Sequence, residues 1–303
     1  MPESDLTARK SYAGGLKEEA EALASGLPPL LVSAERLAAT VSLGVHGRRK
    51  AGMGESFWQF RRYQSHDAAS TIDWRQSSRS QHLFVREREW EAAAAVWLWR
   101  DNSPSMTFCS RWATTSKSER AGLLLLSLGA LLVRGGEKIA LLGEDSEPGQ
   151  GRRALSRTAF GLAHGKQQQL PPASVLGRHA QLVWFSDFLA PSAELVAHMT
   201  RYRAAGVTGH LVHLVDPAEE DFPYEGRTRF EGPTGSDSQL IGRAETLRSL
   251  YQARFAGHGE EIAALAHRQN WTYLRHRTDR PAALALIALY GHLGGGLLTG
   301  RAS

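Results

Sequence analysis

Cysteine is almost absent: Cys109 is the only one in 303 residues. No intrachain disulfide can form, and the composition suits a reducing compartment, the cytoplasm. Residues 1–27 carry Glu, Asp, Lys and Gly before any apolar run, so no signal peptide is expected. Long hydrophobic stretches are also missing. The longest, Gly122–Val133 and Pro281–Leu289, fall short of the roughly 20 residues that span a bilayer, which excludes a helical membrane span there. No H-E-x-x-H, G-x-S-x-G or G-x-x-x-x-G-K-[ST] motif occurs, so zincin, hydrolase-elbow and P-loop chemistry have no foothold. There is no internal repeat. The excess of one charge sign is small, +5. The basic residues are dispersed rather than gathered in a run, which favours an ordinary Arg-rich surface over the other reading, an acidic partner such as nucleic acid, anionic lipid or an acidic protein face.

What is present is an ordinary globular composition, 42% hydrophobic and 22% charged, in a chain long enough to bury a large core. Four zones are expected. Residues 1–33 read as a loose arm with a short helical stretch, Leu16–Leu23, ended by Pro28-Pro29. Residues 34–90 are rich in Arg, Gln, Ser and aromatics and lack long apolar periodicity. Residues 91–293 alternate short apolar runs with helical patterns, and residues 294–303 read as a tail after the glycines of Gly291–Gly295.

In the third zone, strands are expected at Ala92–Trp99, Lys138–Leu142, Ala180–Phe185, Val207–Val215 and Trp271–Leu274. Helices are expected at Ser118–Val133, Arg153–His164, Ser192–Ala205, most of Ile241–Asn270, and Arg280–His292. Such alternation implies βαβ units, hence an α/β domain with a mostly parallel sheet and helices on both faces. Ala92–Trp99, a continuous apolar run, is expected to be its central strand. The 34–90 zone is expected to form a smaller N-terminal appendage. Ligands of such sheets bind outside the carboxyl ends of the strands, where strand order reverses.

Three expected strands run into an aspartate: Asp101, Asp187 and Asp216. Aspartate is a common turn and cap residue, which explains any one of them. Asp101 stands apart because of the residues next to it. Asp101-Asn102-Ser103-Pro104-Ser105 is a D-x-S-x-S loop directly after a buried strand. One carboxylate and two hydroxyls on a tight loop are hard oxygen donors of the kind Mg²⁺ or Ca²⁺ takes, with an open position left for a partner's carboxylate.

This loop, with Trp97-Leu98-Trp99-Arg100 before it and Met106 after it, resembles the metal-ion-dependent adhesion site (MIDAS) of von Willebrand factor A domains, which have a Rossmann-like fold. The upstream zone resembles the bacterial DUF58 family. It carries Gly44-x-His46 with Gly52-x-Gly54, Phe57-Trp58-Gln59-Phe60-Arg61-Arg62-Tyr63, His66-Asp67, Ile72-Asp73-Trp74-Arg75, Ser78-Arg79 and Val85-Arg86-Glu87-Arg88-Glu89. The resemblance covers about residues 35–290. It implies a cytoplasmic bacterial adaptor or assembly factor, not an enzyme, working with a MoxR-type AAA+ ATPase and other proteins of the same operon. It implies metal ligands at Asp101, Ser103, Ser105 and Asp187, with Mg²⁺, Ca²⁺ or Mn²⁺ as the ion. The chain departs from the family pattern at His66, where a Gly is usual, and at Thr71, where an Arg is usual. A second-loop Thr should also complete the metal shell, and only Thr158, inside an expected helix, or Ser174 stands in the right stretch. A metal-holding site and a degenerate one that holds none both stay open.

Arg61, Tyr63, Asp67, Asp73, Trp74, Arg75 and Arg79 concentrate charge and aromatic character. They suit either a partner-binding surface or Arg–Asp pairs that, with Trp74 buried, clamp the segment down. Asp67 and Asp73 would repel phosphate, which argues against nucleic acid. Cys109 has no adjacent base and reads as a small buried thiol. His210 and His213, on opposite faces of one strand, make poor joint ligands. The alternative function, a metal-dependent phosphohydrolase using Asp101 and Asp187, lacks a recognisable base or second metal.

Overall fold

The computed structural model describes residues 28–46, 58–62, 74–78, 83–88, 95–145, 147–177, 179–233 and 237–299. The chain divides into two compact units, with boundaries at Gly44/Val45 and Ala93/Ala94. The smaller unit holds an antiparallel hairpin of β1 (Trp58–Arg62) and β2 (Phe84–Arg88), with Arg61 opposite Val85, and a single helical turn α2 (Trp74–Ser77) between them. The larger unit begins with most of α1 (Pro28–His46). Here the expected arm is corrected at its end. The Pro28-Pro29 pair opens a helix, because proline's fixed φ and missing N–H are tolerated in a first turn. The stretch Leu16–Leu23 lies outside the described residues.

The larger unit continues with β3 (Val96–Arg100), α3 (Lys117–Arg134), β4 (Ile139–Leu141), α4 (Gly151–His164), β5 (Gln181–Ser186), α5 (Ser192–Ala204) and β6 (Thr208–Val215). A short α6 (Pro217–Asp221), a hairpin β7 (Thr228–Glu231) and β8 (Ser238–Ile241), α7 (Arg248–Arg268), β9 (Thr272–Arg277) and α8 (Ala282–Thr299) complete it. Five strands form one sheet in the order β4-β3-β5-β6-β9 with every neighbouring pair parallel. The expected parallel α/β sheet is therefore present. Its central strand is β5, not β3, which stands one strand in from the edge. β3 still has a partner on each side, and that is all its apolar run requires.

Side chains alternate between the two faces. Trp97, Trp99, Leu182, Trp184 and Leu211 point to one, where α5 and α7 cover them with Leu195, Met199, Tyr202, Ile262 and Leu265. The Trp99 and Trp184 rings meet edge-on at 5.7 Å, a favoured aromatic geometry. Leu98, Val183, Phe185, Val212 and Leu214 are wholly buried on the other face. There α3 passes close enough that a Cβ on Gly129 would stand 3.3 Å from Ile139 and 3.6 Å from Leu98.

Two further expectations are corrected, and the β7–β8 hairpin stands where no strand was expected. β9 runs past Leu274 to Arg277, since an edge strand can carry charged residues. The tail proposed from residue 294 is instead the last part of α8, which runs through the glycines to Thr299. Glycine weakens a helix by about 1 kcal/mol, and the burial of Leu286, Leu289 and Leu293 just before them offsets this. Among the described residues, no helix is long and apolar enough to cross a membrane.

Gly209 in β6 has no room for a side chain: a Cβ there would fall 2.0 Å from the Trp271 ring. Gly209→Ala should therefore destabilise by about 3 kcal/mol by overpacking, lowering the melting temperature by about 10 °C. The double variant with Trp271→Leu should recover part of that loss in a thermal melt. An unchanged melt in the single variant would contradict the packing.

Candidate functional site

Sheet order reverses between β3 and β5: β3 connects to β4 on one side, and the later strands build out from β5 on the other. The crevice of such a sheet lies at this point, at the carboxyl ends of the strands. The residues found there are Asp101 after β3, Ser186 and Asp187 at the end of β5 and, one strand further, Asp216 after β6. The ladder extends one step beyond β3, because the Asp101 N–H donates to the Phe185 carbonyl at 2.8 Å. This fixes Asp101 beside Ser186.

The D-x-S-x-S loop then folds on itself. Asp101 Oδ1 accepts the Ser103 N–H at 2.8 Å, and Pro104–Thr107 closes as a single 3₁₀ turn. The Ser103 and Ser105 hydroxyls lie 3.0 Å apart. Ser186 Oγ donates to Asp101 Oδ2 at 2.7 Å and accepts the Phe188 N–H. Asp101 and Asp187 are almost completely buried, and Ser103 and Ser105 nearly so. Asp101, Ser103 and Ser105 are thus gathered in one buried loop, and Asp187 stands near enough for its charge to act on Asp101.

That centre holds a residue the sequence reading missed. Lys117, the first residue of α3, comes directly after Ser116, which caps the helix in a reciprocal box with Glu119. A cation at a helix N-terminus is disfavoured by the helix dipole, so the helix alone does not explain it. The explanation is tertiary. Its Nζ donates to Asp187 Oδ2 at 2.9 Å and to Glu219 Oε1 at 2.5 Å, and the lysine side chain is 1% exposed. Glu219 Oε2 accepts the Asp216 N–H at 2.8 Å within the capping box of α6. Asp216 in turn accepts the N–H groups of Ala218 and Ser110, the latter from the chain just past the D-x-S-x-S loop. One network therefore ties together the ends of β3, β5 and β6 and the start of α3.

Burial by itself would push the Lys117 amine down, but the charges of Asp187 and Glu219 reverse this and leave it raised. Glu219 is raised by burial, against the pull of Lys117. Asp101 is pushed up to about 6. Burial is the main cause and the Asp187 charge adds to it, while hydrogen bonds from Ser103 and Ser186 oppose both.

The donor set does not fit a divalent ion as it stands. Asp187, one of the two anionic ligands, already holds an ammonium. A dication sharing that carboxylate would sit roughly 4 Å from the ammonium, a repulsion on the order of 8 kcal/mol at an effective dielectric constant of about 20. The second-loop candidates do not help. Thr158 spends its hydroxyl on the Ala154 carbonyl in its own helix. Ser174 lies beside Pro172, whose carbonyl accepts its N–H. Among the described residues, no group of three or more His, Cys, Asp or Glu side chains is arranged to hold a metal.

Other candidates fall elsewhere. Arg61 is in β1 and Arg75 in α2, in the smaller unit. Tyr63, Asp67, Asp73 and Arg79 lie outside the described residues. Trp74, expected to be buried if the segment is clamped, is 66% exposed. Cys109 is exposed, not buried as expected. Its thiol is nonetheless raised, by burial of the sulfur first and by the Asp216 and Glu119 charges next, so it makes a poor nucleophile. His210 and His213 are buried, with Nδ1 atoms on Thr272 and Tyr273. Burial pushes them down to about 4 and about 3.

Exposed apolar side chains border the centre. Phe108 is 40% exposed and its ring lies 6.0 Å from Lys117 Nζ. Leu189 is half exposed, and its N–H bonds to Asp187. Trp112, two residues past Ser110, is partly exposed and meets Tyr224 edge-on.

Residues 59–261 match the family model described as "Protein of unknown function DUF58". No curated protein matches. Among solved structures, an aerotolerance-related membrane protein from Bacteroides fragilis NCTC 9343, with multiple mutations to serines, is 18% identical at a TM-score of 0.39. The alignment covers 67% of this chain and 99% of that one. The conserved hypothetical protein BatB from Bacteroides thetaiotaomicron is 15% identical over the same shares, at a TM-score of 0.37. Both likenesses are too distant to bear on function.

The raised Asp101 carboxyl gives a pH test. Its folded pKa lies above its unfolded one, so its contribution to stability is complete below about pH 4 and is lost as pH rises to about 6. Asp101→Asn lacks this loss. Its melting temperature relative to wild type should be more favourable at pH 7.5 than at pH 4, by the equivalent of about 1–3 kcal/mol. Taking the difference between the two proteins removes the parallel effect of the buried histidines. A variant that is relatively worse at pH 7.5 would mean that the ionised carboxylate is needed there.

Proposed function

The chain belongs to the DUF58 family, and we propose that it is a non-catalytic, von Willebrand factor A-like binding module acting in the cytoplasm as an adaptor or assembly factor for a MoxR-type AAA+ ATPase. The observation that carries this reading is the character of the crevice. The three strand-end carboxylates are committed to internal partners: Asp101 to Ser103 and Ser186, Asp187 to Lys117 and Leu189, Asp216 to Ala218 and Ser110. None is left as a free base next to a reactive position, as hydrolysis would need. The surrounding rim instead exposes Phe108, Trp112 and Leu189. Exposed apolar and aromatic side chains clustered round a closed polar centre suit a protein interface.

The test uses the purified full chain and the MoxR-type ATPase of the same operon, with binding measured calorimetrically. Wild type should bind saturably. Phe108→Ser with Leu189→Asp should weaken binding at least tenfold while leaving the melting temperature within a few degrees. No binding by wild type, or phosphoester turnover with Mg²⁺ or Mn²⁺ that Asp101→Ala abolishes, would overturn the proposal.

A further inference from the structure

We infer that Lys117 is a built-in cation that takes the electrostatic role of a divalent metal in this crevice, so that the centre is complete and holds its shape without any metal ion. The inference rests on the geometry of the centre and stands whether or not the chain serves an ATPase partner. The D-x-S-x-S loop and Asp187 bring hydroxyls and carboxylates together as a cation would require. A positive charge already sits on one of those carboxylates, Asp187, and it is covalently part of the chain. Lys117 Nζ reaches Asp187 at 2.9 Å and Glu219 at 2.5 Å, and the lysine and Asp187 side chains are only 1% and 3% exposed.

Three features show that the lysine is built in and not a chance neighbour. Lys117 occupies a helix N-terminus, where the helix dipole works against it, so its carboxylate partners must hold it there. Its second carboxylate, Glu219, is itself oriented by the Asp216 N–H, and Asp216 is tied to Ser110. The ammonium is thus anchored to the same chain segment that carries the serines. The hydroxyls that would turn to a metal lie instead within hydrogen-bond distance of each other, Ser103 to Ser105.

The experiment is a set of thermal melts on the full chain, in chelator and with Mg²⁺ or Mn²⁺ up to 20 mM. Wild type should melt at the same temperature in both. Lys117→Met should leave buried carboxylates without a counter-charge and melt about 10 °C lower in chelator. Neutralising the two carboxylates in Lys117→Met/Asp187→Asn/Glu219→Gln should recover at least half of that loss. If the single variant does not fold, its recovery in the triple variant decides the question in the same way. The inference is overturned if wild type gains several degrees with metal and Asp187→Asn abolishes the gain. It is equally overturned if Lys117→Met melts like wild type in chelator, or if the triple variant recovers nothing. Added metal that raises the melt of Lys117→Met but not of wild type would be direct evidence that the ion and the ammonium take the same role.

Discussion

An ammonium taken out of water without partners loses several kcal/mol of solvation, and Lys117 is withdrawn from solvent almost completely. It remains charged because two carboxylates receive it, and they are in place because of the sheet. Asp187 arrives at the end of β5 and Glu219 on the helical turn after β6, so the pairing depends on those two strands lying side by side in parallel register. Conversely, the ammonium holds the ends of those strands together where repulsion between carboxylates would otherwise loosen them. The fold and the charge centre are therefore not separable. Removing the lysine from an intact sheet leaves unbalanced negative charge in a buried place, which is more damaging than losing an exposed ion pair.

The same logic explains why so many backbone groups converge at this end. The carboxyl end of a parallel sheet carries unpaired strand termini and helix starts whose N–H groups need acceptors. Asp101 takes the Ser103 N–H, Asp187 that of Leu189, and Asp216 those of Ala218 and Ser110. Each aspartate thus does the ordinary work of a cap or turn residue. Clustering them concentrates negative charge, and Lys117 offsets part of it. Burial holds Asp101 up near 6, which reduces the charge further at mildly acid pH.

Much of the architecture was legible in the sequence because parallel strands buried on both faces are continuous apolar runs. Val96–Trp99 and Leu182–Phe185 could hardly be read otherwise, and Asp101, Asp187 and Asp216 were located by where such runs end. The parts that escaped are those whose pattern is not apolar. In the β7–β8 hairpin, β7 alternates between half-exposed and exposed positions and β8 is exposed up to its last residue, so neither strand has a buried apolar period to detect. The end of β9 reads Arg275-His276-Arg277, acceptable at a sheet edge but unlike a buried strand. Lys117 was invisible for a different reason. Its partners lie 70 and 102 residues along the chain, and nothing local marks them. The one sequence hint was a lysine in the first turn of a well-capped helix, where the dipole favours an acid. The Asp216-x-x-Glu219 box was likewise readable as a cap, but not as one end of an ion pair.

A lysine and a metal differ at such a centre in two ways that bear on recognition. The first is exchange: an ion can leave and return with its concentration, whereas a tethered ammonium cannot, so the arrangement of the strand ends is set by folding alone. The second is coordination. A divalent ion with an incomplete shell has a strong position to offer an incoming carboxylate. An ammonium has three donors, and here two are committed to Asp187 and Glu219. An approaching carboxylate would find one remaining N–H, flanked by two carboxylates of its own sign, in a centre with almost no exposed surface. The polar centre is thus poorly suited to be the contact itself. Whatever affinity this end of the sheet has must come mainly from the surface around it, where Phe108, Trp112 and Leu189 offer apolar area. The buried network's part is to hold the loops that carry them in one fixed arrangement.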